Sequence, residues 1–269
     1  MSHTTHAPQI APSQVHEVLG RHMLADGYDM VLDLDKSQGR RLWDARGGRW
    51  ILDMFSCFAT LPVGLNHPRM KDAEFLARLQ RAALANPTNS DIYTVEMAGF
   101  VDTFGRIAQP AYLPHAFFVA GGGLGIENAL KAAFDWKVRR NFRAGVREER
   151  GHQVVHFREA FHGRTGYTLS MTNTADPRKH QYFPKFDWPR IENPKLRFPV
   201  DAAETTRVAQ AEAAALAQVK AAFRERGDDI AAVLIEPIQA EGGDNHFRPE
   251  FLRALRQVAD ENEALLVFD

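Results

Sequence analysis

From about residue 114 onward, short apolar runs alternate with stretches of helical period. The runs at 115–119, 152–157, 230–235 and 264–268 predict strands, and the stretches at 126–140, 202–222 and 249–262 predict helices. Strands alternating with helices predict βαβ units and a mostly parallel sheet, so the fold class is α/β. Within 202–222 the residues Val208, Leu216, Val219 and the following Phe223 share one helical face, and Gly227 is a natural carboxyl-terminal stop.

Ahead of this region, 42–44 and 49–54 flank the turn Ala45-Arg46-Gly47-Gly48 and predict a hairpin in a small separate subdomain. Helices are expected over 69–85 and 91–107. Asn86-Pro87-Thr88-Asn89-Ser90 is positioned to break the first and cap the second. The stretch 176–200 holds five prolines and few periodic residues, and its aromatics predict a long ordered excursion.

Composition narrows the class. Of 269 residues, 45% are apolar and 25% charged, as in a globular protein with a sizeable core. The net charge of -1 supplies no field for nucleic acid or an anionic membrane, which argues against both as partners. The polar start Met1-Ser2-His3-Thr4-Thr5-His6 lacks the apolar core of a signal peptide. Cys57 is the only cysteine, so no intrachain disulfide or multi-thiolate metal site can form, and it reads as a small apolar filler in a cytoplasmic protein.

Candidate chemistry gathers after the predicted strands, where open α/β sheets bind ligands. Val119-Ala120-Gly121-Gly122-Gly123-Leu124-Gly125 joins a strand to a helix. It is either a tight turn or a phosphate cradle of backbone N–H groups backed by the helix dipole. The glycine spacing fits neither a dinucleotide fingerprint nor a P-loop, which removes a nicotinamide-dependent dehydrogenase. In Phe161-His162-Gly163-Arg164-Thr165 the ring is suited to stack on a flat heterocycle and Arg164 to clamp a carboxylate. The competing reading makes Phe161 core and Arg164 a solvated loop residue. Glu236 and Glu241 follow another strand and are either ligand contacts or turn residues; Asp244 reads as a turn residue. Asp269 is suited to pair with a protonated pyridine nitrogen, the acid expected beside pyridoxal 5'-phosphate (PLP), or to cap a helix. His152, His156 and His162 share a neighbourhood but lack metal-ligand spacing and a paired acid.

These residues resemble the class-III, fold-type I, PLP-dependent aminotransferases, and within them the branch acting on the ε-amino group of L-lysine. The resemblance is closest in Glu127-Asn128-Ala129-Leu130-Lys131-Ala132-Ala133-Phe134-Asp135-Trp136-Lys137, in Phe183-Pro184-Lys185-Phe186-Asp187-Trp188-Pro189-Arg190-Ile191 and over 236–250. It implies a three-layer large domain with a mostly parallel sheet over 66–269, preceded at 1–65 by an amino-terminal segment and part of a small α+β domain. It implies that Gly122 and Gly123 hold the cofactor phosphate, Phe161 stacks on the ring and Asp269 meets its nitrogen, with Glu236 in the pocket wall. Arg164 would clamp the α-carboxylate shared by L-lysine, 2-oxoglutarate and glutamate. Glu241 would be the acid that moves to admit a neutral or a carboxylate-bearing end. A homodimer is also implied. The family continues past the position of Asp269 to the Schiff-base lysine and a further small domain. Lys131, Lys137, Lys179, Lys185 and Lys195 do not match that position, so the expectation is an amino-terminal fragment without a catalytic residue and inactive alone. Another class-III ω-aminotransferase, of the ornithine or 4-aminobutyrate type, and a non-catalytic binding or assembly protein are the alternatives.

Overall fold

The computed structural model describes residues 10–84 and 91–269. They fall into two compact units, Met1–Pro114 and His115–Asp269. This division lies later than the boundary drawn at 65/66 from the sequence.

In the first unit, helix α1 (Val15–Gly20) precedes an antiparallel sheet of β1 (Leu32–Gln38), β2 (Arg41–Asp44) and β3 (Arg49–Leu52), in that order. The predicted hairpin is β2–β3. Its register pairs Trp43 with Trp50, whose rings meet edge-on at 5.1 Å, and Lys36 Nζ sits 3.1 Å from the Trp43 ring centroid. Asp44, buried at the turn, accepts backbone hydrogen bonds that hold its carboxyl below the usual range, Gly47 contributing most and Val31 next. The turn α2 (Ser56–Ala59) has positive φ at all four residues. Cys57 lies in it with its thiol exposed, so the expectation of a packed filler is wrong: the left-handed turn directs the side chain away from any core. Helices α3 (Ala73–Leu84) and α4 (Val95–Ile107) follow, and Thr94 caps α4 by accepting from Met97 N at 3.1 Å. Neither helix buries a residue, and the breaker expected at 86–90 lies outside the described residues.

The second unit is the α/β body. Its elements are α5 (Gly122–Arg143), β4 (Gln153–Phe157), α6 (Thr168–Met171), β5 (Arg190–Ile191), α7 (Ala202–Arg226), β6 (Ile230–Ile235), β7 (Ile238–Gln239), β8 (Asn245–His246), α8 (Pro249–Glu261) and β9 (Leu265–Phe268). Strands β5-β4-β6-β9 form a wholly parallel sheet in that order. All six residues of β6 are buried, as a strand covered on both faces requires.

Alternate side chains enter different cores. Val155, Val233 and Ile235 pack with Val219 and Phe223 of α7 and Phe251 and Leu255 of α8. Val154, Ala232 and Leu234 pack with Ile126, Leu130 and Phe134 of α5, with Met171 and Trp188. The result is a helix–sheet–helix sandwich, the three layers expected. Helix α7 starts at Asp201, which accepts from Glu204 N at 2.8 Å, and stops at Gly227.

Two features differ from the sequence reading. The run 115–119 is not a strand: Phe117 is 74% exposed, and the segment has no ladder partner among the described residues. An apolar run becomes a strand only where a neighbour can accept its hydrogen bonds. The excursion at 176–200 contains a short strand, β5, that composition did not signal. It is ordered by Trp188, which is buried and stacks on Phe186 at 4.9 Å.

Candidate active site

The parallel sheet brings the loops after β4 and β6 and the residue that follows β9 together at its carboxyl ends, and side chains from all three meet there. Asp269, just past β9, extends the ladder by donating its N–H to Ile235 O at 3.1 Å. Its carboxylate Oδ2 accepts a hydrogen bond from His162 Nδ1 at 2.7 Å. The His162 side chain is fully buried, and its Nε2 has no partner among the described residues. The histidines were expected to lack a paired acid, and this contact overturns that expectation. The acid lies just past a strand, β9, that β6 separates from β4, so local spacing could not reveal it.

Glu236, past the end of β6, accepts from Phe161 N at 2.8 Å. It is 8% exposed, and burial above all raises its pKa. Glu236, Phe161, His162 and Asp269 therefore form one cluster.

The loop that carries Phe161 and His162 also packs on the start of α5. The helix begins at Gly122, with Gly121 as its amino cap, so the first-turn N–H groups have no partners inside the helix. Gly122 is exposed and Gly123 half-buried. Gly163 lies against this turn: a Cβ there would come within 2.8 Å of Gly123 Cα and 3.0 Å of Thr168 Oγ1, and its φ of 117° independently favours glycine. Glu127, one turn into α5, clamps the same loop. Its Oε1 accepts from Thr165 Oγ1 at 2.6 Å and from Tyr167 N at 2.6 Å. The sequence reading gave Glu127 no role; an acid in the second turn of a helix that begins at a glycine loop was its only signal.

The remaining candidates lie apart. Arg164 is exposed, forms no ion pair among the described residues, and lines a recess of about 480 Å³ with Leu169, Phe183, Lys185 and Phe186. Glu241 is ion-paired with Lys179, whose ammonium lies 5.8 Å from the Phe161 ring centroid. Asp244 is exposed with a φ of 54°, the turn residue expected. His156 is buried, and desolvation lowers its pKa to about 3, so it is a neutral interior group. No cluster of metal-ligating residues exists among the described residues.

The donor set fits PLP. A helix start rich in glycine offers backbone donors to a phosphate, a half-buried ring at Phe161 offers a stacking face, and Asp269 offers a carboxylate backed by a buried imidazole.

The class-III aminotransferase family model matches residues 23–269, and the chain belongs to that family of fold-type I, PLP-dependent enzymes. Within it, the chain is similar to the L-lysine-epsilon aminotransferase of Mycobacterium tuberculosis, at 55% identity over 259 residues, covering 96% of this chain and 57% of that protein. The L-lysine-epsilon aminotransferase of Amycolatopsis lactamdurans is 49% identical, covering 95% and 56%. The solved lysine aminotransferase from M. tuberculosis superposes with a TM-score of 0.92 at 55% identity, covering 97% of this chain and 59% of that one. The chain thus spans a little over half the length of these relatives. A 4-aminobutyrate aminotransferase of Mycosarcoma maydis is more distant, at 31% identity over 99% of this chain and 56% of that protein.

Proposed function

We propose that the full-length protein carrying this chain transfers the ε-amino group of L-lysine to 2-oxoglutarate, giving 2-aminoadipate 6-semialdehyde and glutamate. The observation that carries the reading is the His162–Asp269 pair at the carboxyl end of the parallel sheet. Lysine is preferred over 4-aminobutyrate because the lysine enzymes are 48–55% identical to this chain, against 28–31% for the 4-aminobutyrate enzymes.

In this reading Gly122 and Gly123 donate backbone N–H groups to the phosphate, Phe161 supports the ring, and Asp269 holds the ring nitrogen in its protonated form. Bound PLP supplies an electron-accepting ring that eases proton removal from the carbon bearing the amine. His162 fixes the Asp269 carboxylate from behind, and Glu236 fixes the loop carrying Phe161. Residues 66–269 are the PLP-binding domain of this reading and 1–65 the amino-terminal segment with part of a small domain. A homodimer in the cytoplasm completes it.

Substrate chemistry refines the role of Arg164. Lysine presents its carboxylate at the end remote from the reacting amine, whereas 2-oxoglutarate has one carboxylate adjacent to the reacting carbon and one remote. A clamp common to both therefore takes the remote carboxylate, which is the α-carboxylate of lysine but the distal one of the oxo acid. The sequence reading had assigned it the α-carboxylate throughout.

The test is to supply the full-length protein with PLP and 2-oxoglutarate and compare lysine, ornithine and 4-aminobutyrate as donors. Lysine should give the highest kcat/KM, with glutamate formed in equal amount. A higher value with either of the other amines overturns the assignment.

A further inference from the structure

The proposed cofactor has two anchors, the first turn of α5 for its phosphate and Asp269 for its ring nitrogen. Its phosphate arm is short, so both anchors serve at once only if their separation is fixed. They belong to different layers, one to a helix and one to the end of β9. Between these layers Ile126, Leu130 and Phe134 of α5 pack with Ala232 and Leu234 of β6, and Leu265 and Val267 of β9 lie against the same cluster. Apolar contacts of this kind are non-directional and permit sliding.

A directional link stands further along α5. Lys137 is 2% exposed, and its Nζ donates to Glu263 O at 3.0 Å and to Asn262 O at 3.4 Å. These carbonyls lie where α8 gives way to β9: Asn262 is the carboxyl cap of α8, and Glu263 has a φ of 51°. Carbonyls at a helix end lack donors within the helix and carry its negative pole, so an ammonium is well held there. The Lys137 stem has little room to swing, since a Cβ on Gly151 would come within 2.8 Å of its Cγ. Arg140, one turn on, pairs with the Glu263 carboxylate. Asn141 ties the same helix to Arg150 O and Asp228 O, ahead of β4 and β6, each at 2.8 Å. Lys137 and Arg140 thus hold the entry to β9, and Asn141 the entries to the other two strands.

The same helix also reaches the far end of β9. Gly123 packs against Gly163, whose neighbour His162 donates to Asp269. From Gly123 to Lys137 the helix runs about 21 Å, and from Ala264 to Asp269 the strand runs about 17 Å. An extended strand cannot stretch, so a displacement of its first residue is carried to its last.

We infer that Lys137, with Arg140 beside it, is a positioning pair: it sets how far Asp269 stands from the first turn of α5, and so matches two anchors to one cofactor. The inference rests on the reading that Gly122 and Gly123 take the phosphate and Asp269 the ring nitrogen.

The test titrates the cofactor-free full-length protein calorimetrically with 4-deoxypyridoxine 5'-phosphate, which has the phosphate and the ring nitrogen but no aldehyde. Its halves, 4-deoxypyridoxine and inorganic phosphate, are measured as competitors against it. Lys137→Met keeps the buried stem and removes the ammonium. It should weaken the whole ligand about tenfold, by lowering the effective concentration of one anchor for a ligand held by the other, and leave each half within about twofold. Should Lys137→Met not fold, Arg140→Met decides: its pair with Glu263 is exposed, and the expected loss is about threefold, confined to the whole ligand. A loss shared by the whole ligand and its halves, or no loss in the whole ligand, overturns the inference and leaves the cofactor reading standing. An unaltered protein that binds the whole ligand no more tightly than phosphate overturns both.

Discussion

His162 Nδ1 and Asp269 Oδ2 lie 2.7 Å apart although 107 positions separate them in the chain. The carboxylate accepts, so the imidazole carries its proton on Nδ1, and the buried Nε2 is left without a partner among the described residues. Asp269→Asn should keep cofactor but lower turnover of the full-length protein by about 10² or more, because an amide cannot hold a protonated ring nitrogen and cannot accept as a carboxylate does. Retained cofactor absorbance with near-normal kcat would sink the role.

His162→Gln separates orientation from charge. An amide can still donate to Asp269, so cofactor affinity should fall by no more than about tenfold, whereas His162→Leu removes the donor to a carboxylate that is 26% exposed and should cost about 1 kcal/mol of stability. Equilibrium PLP titration and denaturant unfolding of both variants check this. Equal behaviour of the two replacements would show that the hydrogen bond is immaterial.

Much of the fold is legible because its signals are local. Ile230–Ile235 reads as a doubly buried strand from its own six residues, and Gly227 marks the stop of α7 where the face carrying Val219 and Phe223 ends. The hairpin at Trp43 and Trp50 is announced by its turn. What stayed hidden depends on distant partners. His162 meets Asp269 only because β6 spaces β4 from β9; Lys179 meets Glu241 only because the excursion and the β7–β8 loop converge. The opposite error occurred at 115–119, where an apolar run looks like a strand yet finds no neighbour among the described residues. Strand pattern is a property of the segment, but strand formation is a property of the pair.

Buried His156 gives stability a pH dependence. Burial lowers its pKa to about 3 in the folded protein, below the 6.5 of a free histidine. Between those values the unfolded chain binds more protons than the folded one, so stability is full above pH 6.5 and falls as pH drops toward 3. The loss from pH 7 to pH 5 should be about 2 kcal/mol from this residue alone. Urea unfolding at the two pH values, compared with His156→Leu, isolates the contribution. A variant with the same pH slope as the unaltered protein would remove His156 as its source.

Glu127 should matter to the loop more than to the helix it belongs to. Its carboxylate accepts from Thr165 Oγ1, Tyr167 N and Thr168 N, the last at 3.3 Å, and so fixes the segment on which Arg164 stands. Glu127→Ala leaves two backbone donors without that acceptor and should destabilise by about 1–3 kcal/mol. Hydrogen exchange at Tyr167 and Thr168 should quicken while that of β6 amides stays slow. Protection lost uniformly across the unit would instead mean global unfolding.

Arg164 lies apart from the cluster around Asp269. Its guanidinium is exposed, free of ion pairs among the described residues, and set at the edge of an apolar recess that Lys185 also lines. A fork of donors there suits a carboxylate bound end-on while the recess takes methylenes. Because the proposed substrates, lysine and 2-oxoglutarate, both carry a remote carboxylate, Arg164→Ala should lower kcat/KM of the full-length protein for both by about 10². Arg164→Lys should recover only part of the loss, since a point charge cannot reproduce two parallel hydrogen bonds. If Arg164→Ala impairs only one of the two substrates, the clamp is not shared, and the remote carboxylate of the other must be held elsewhere.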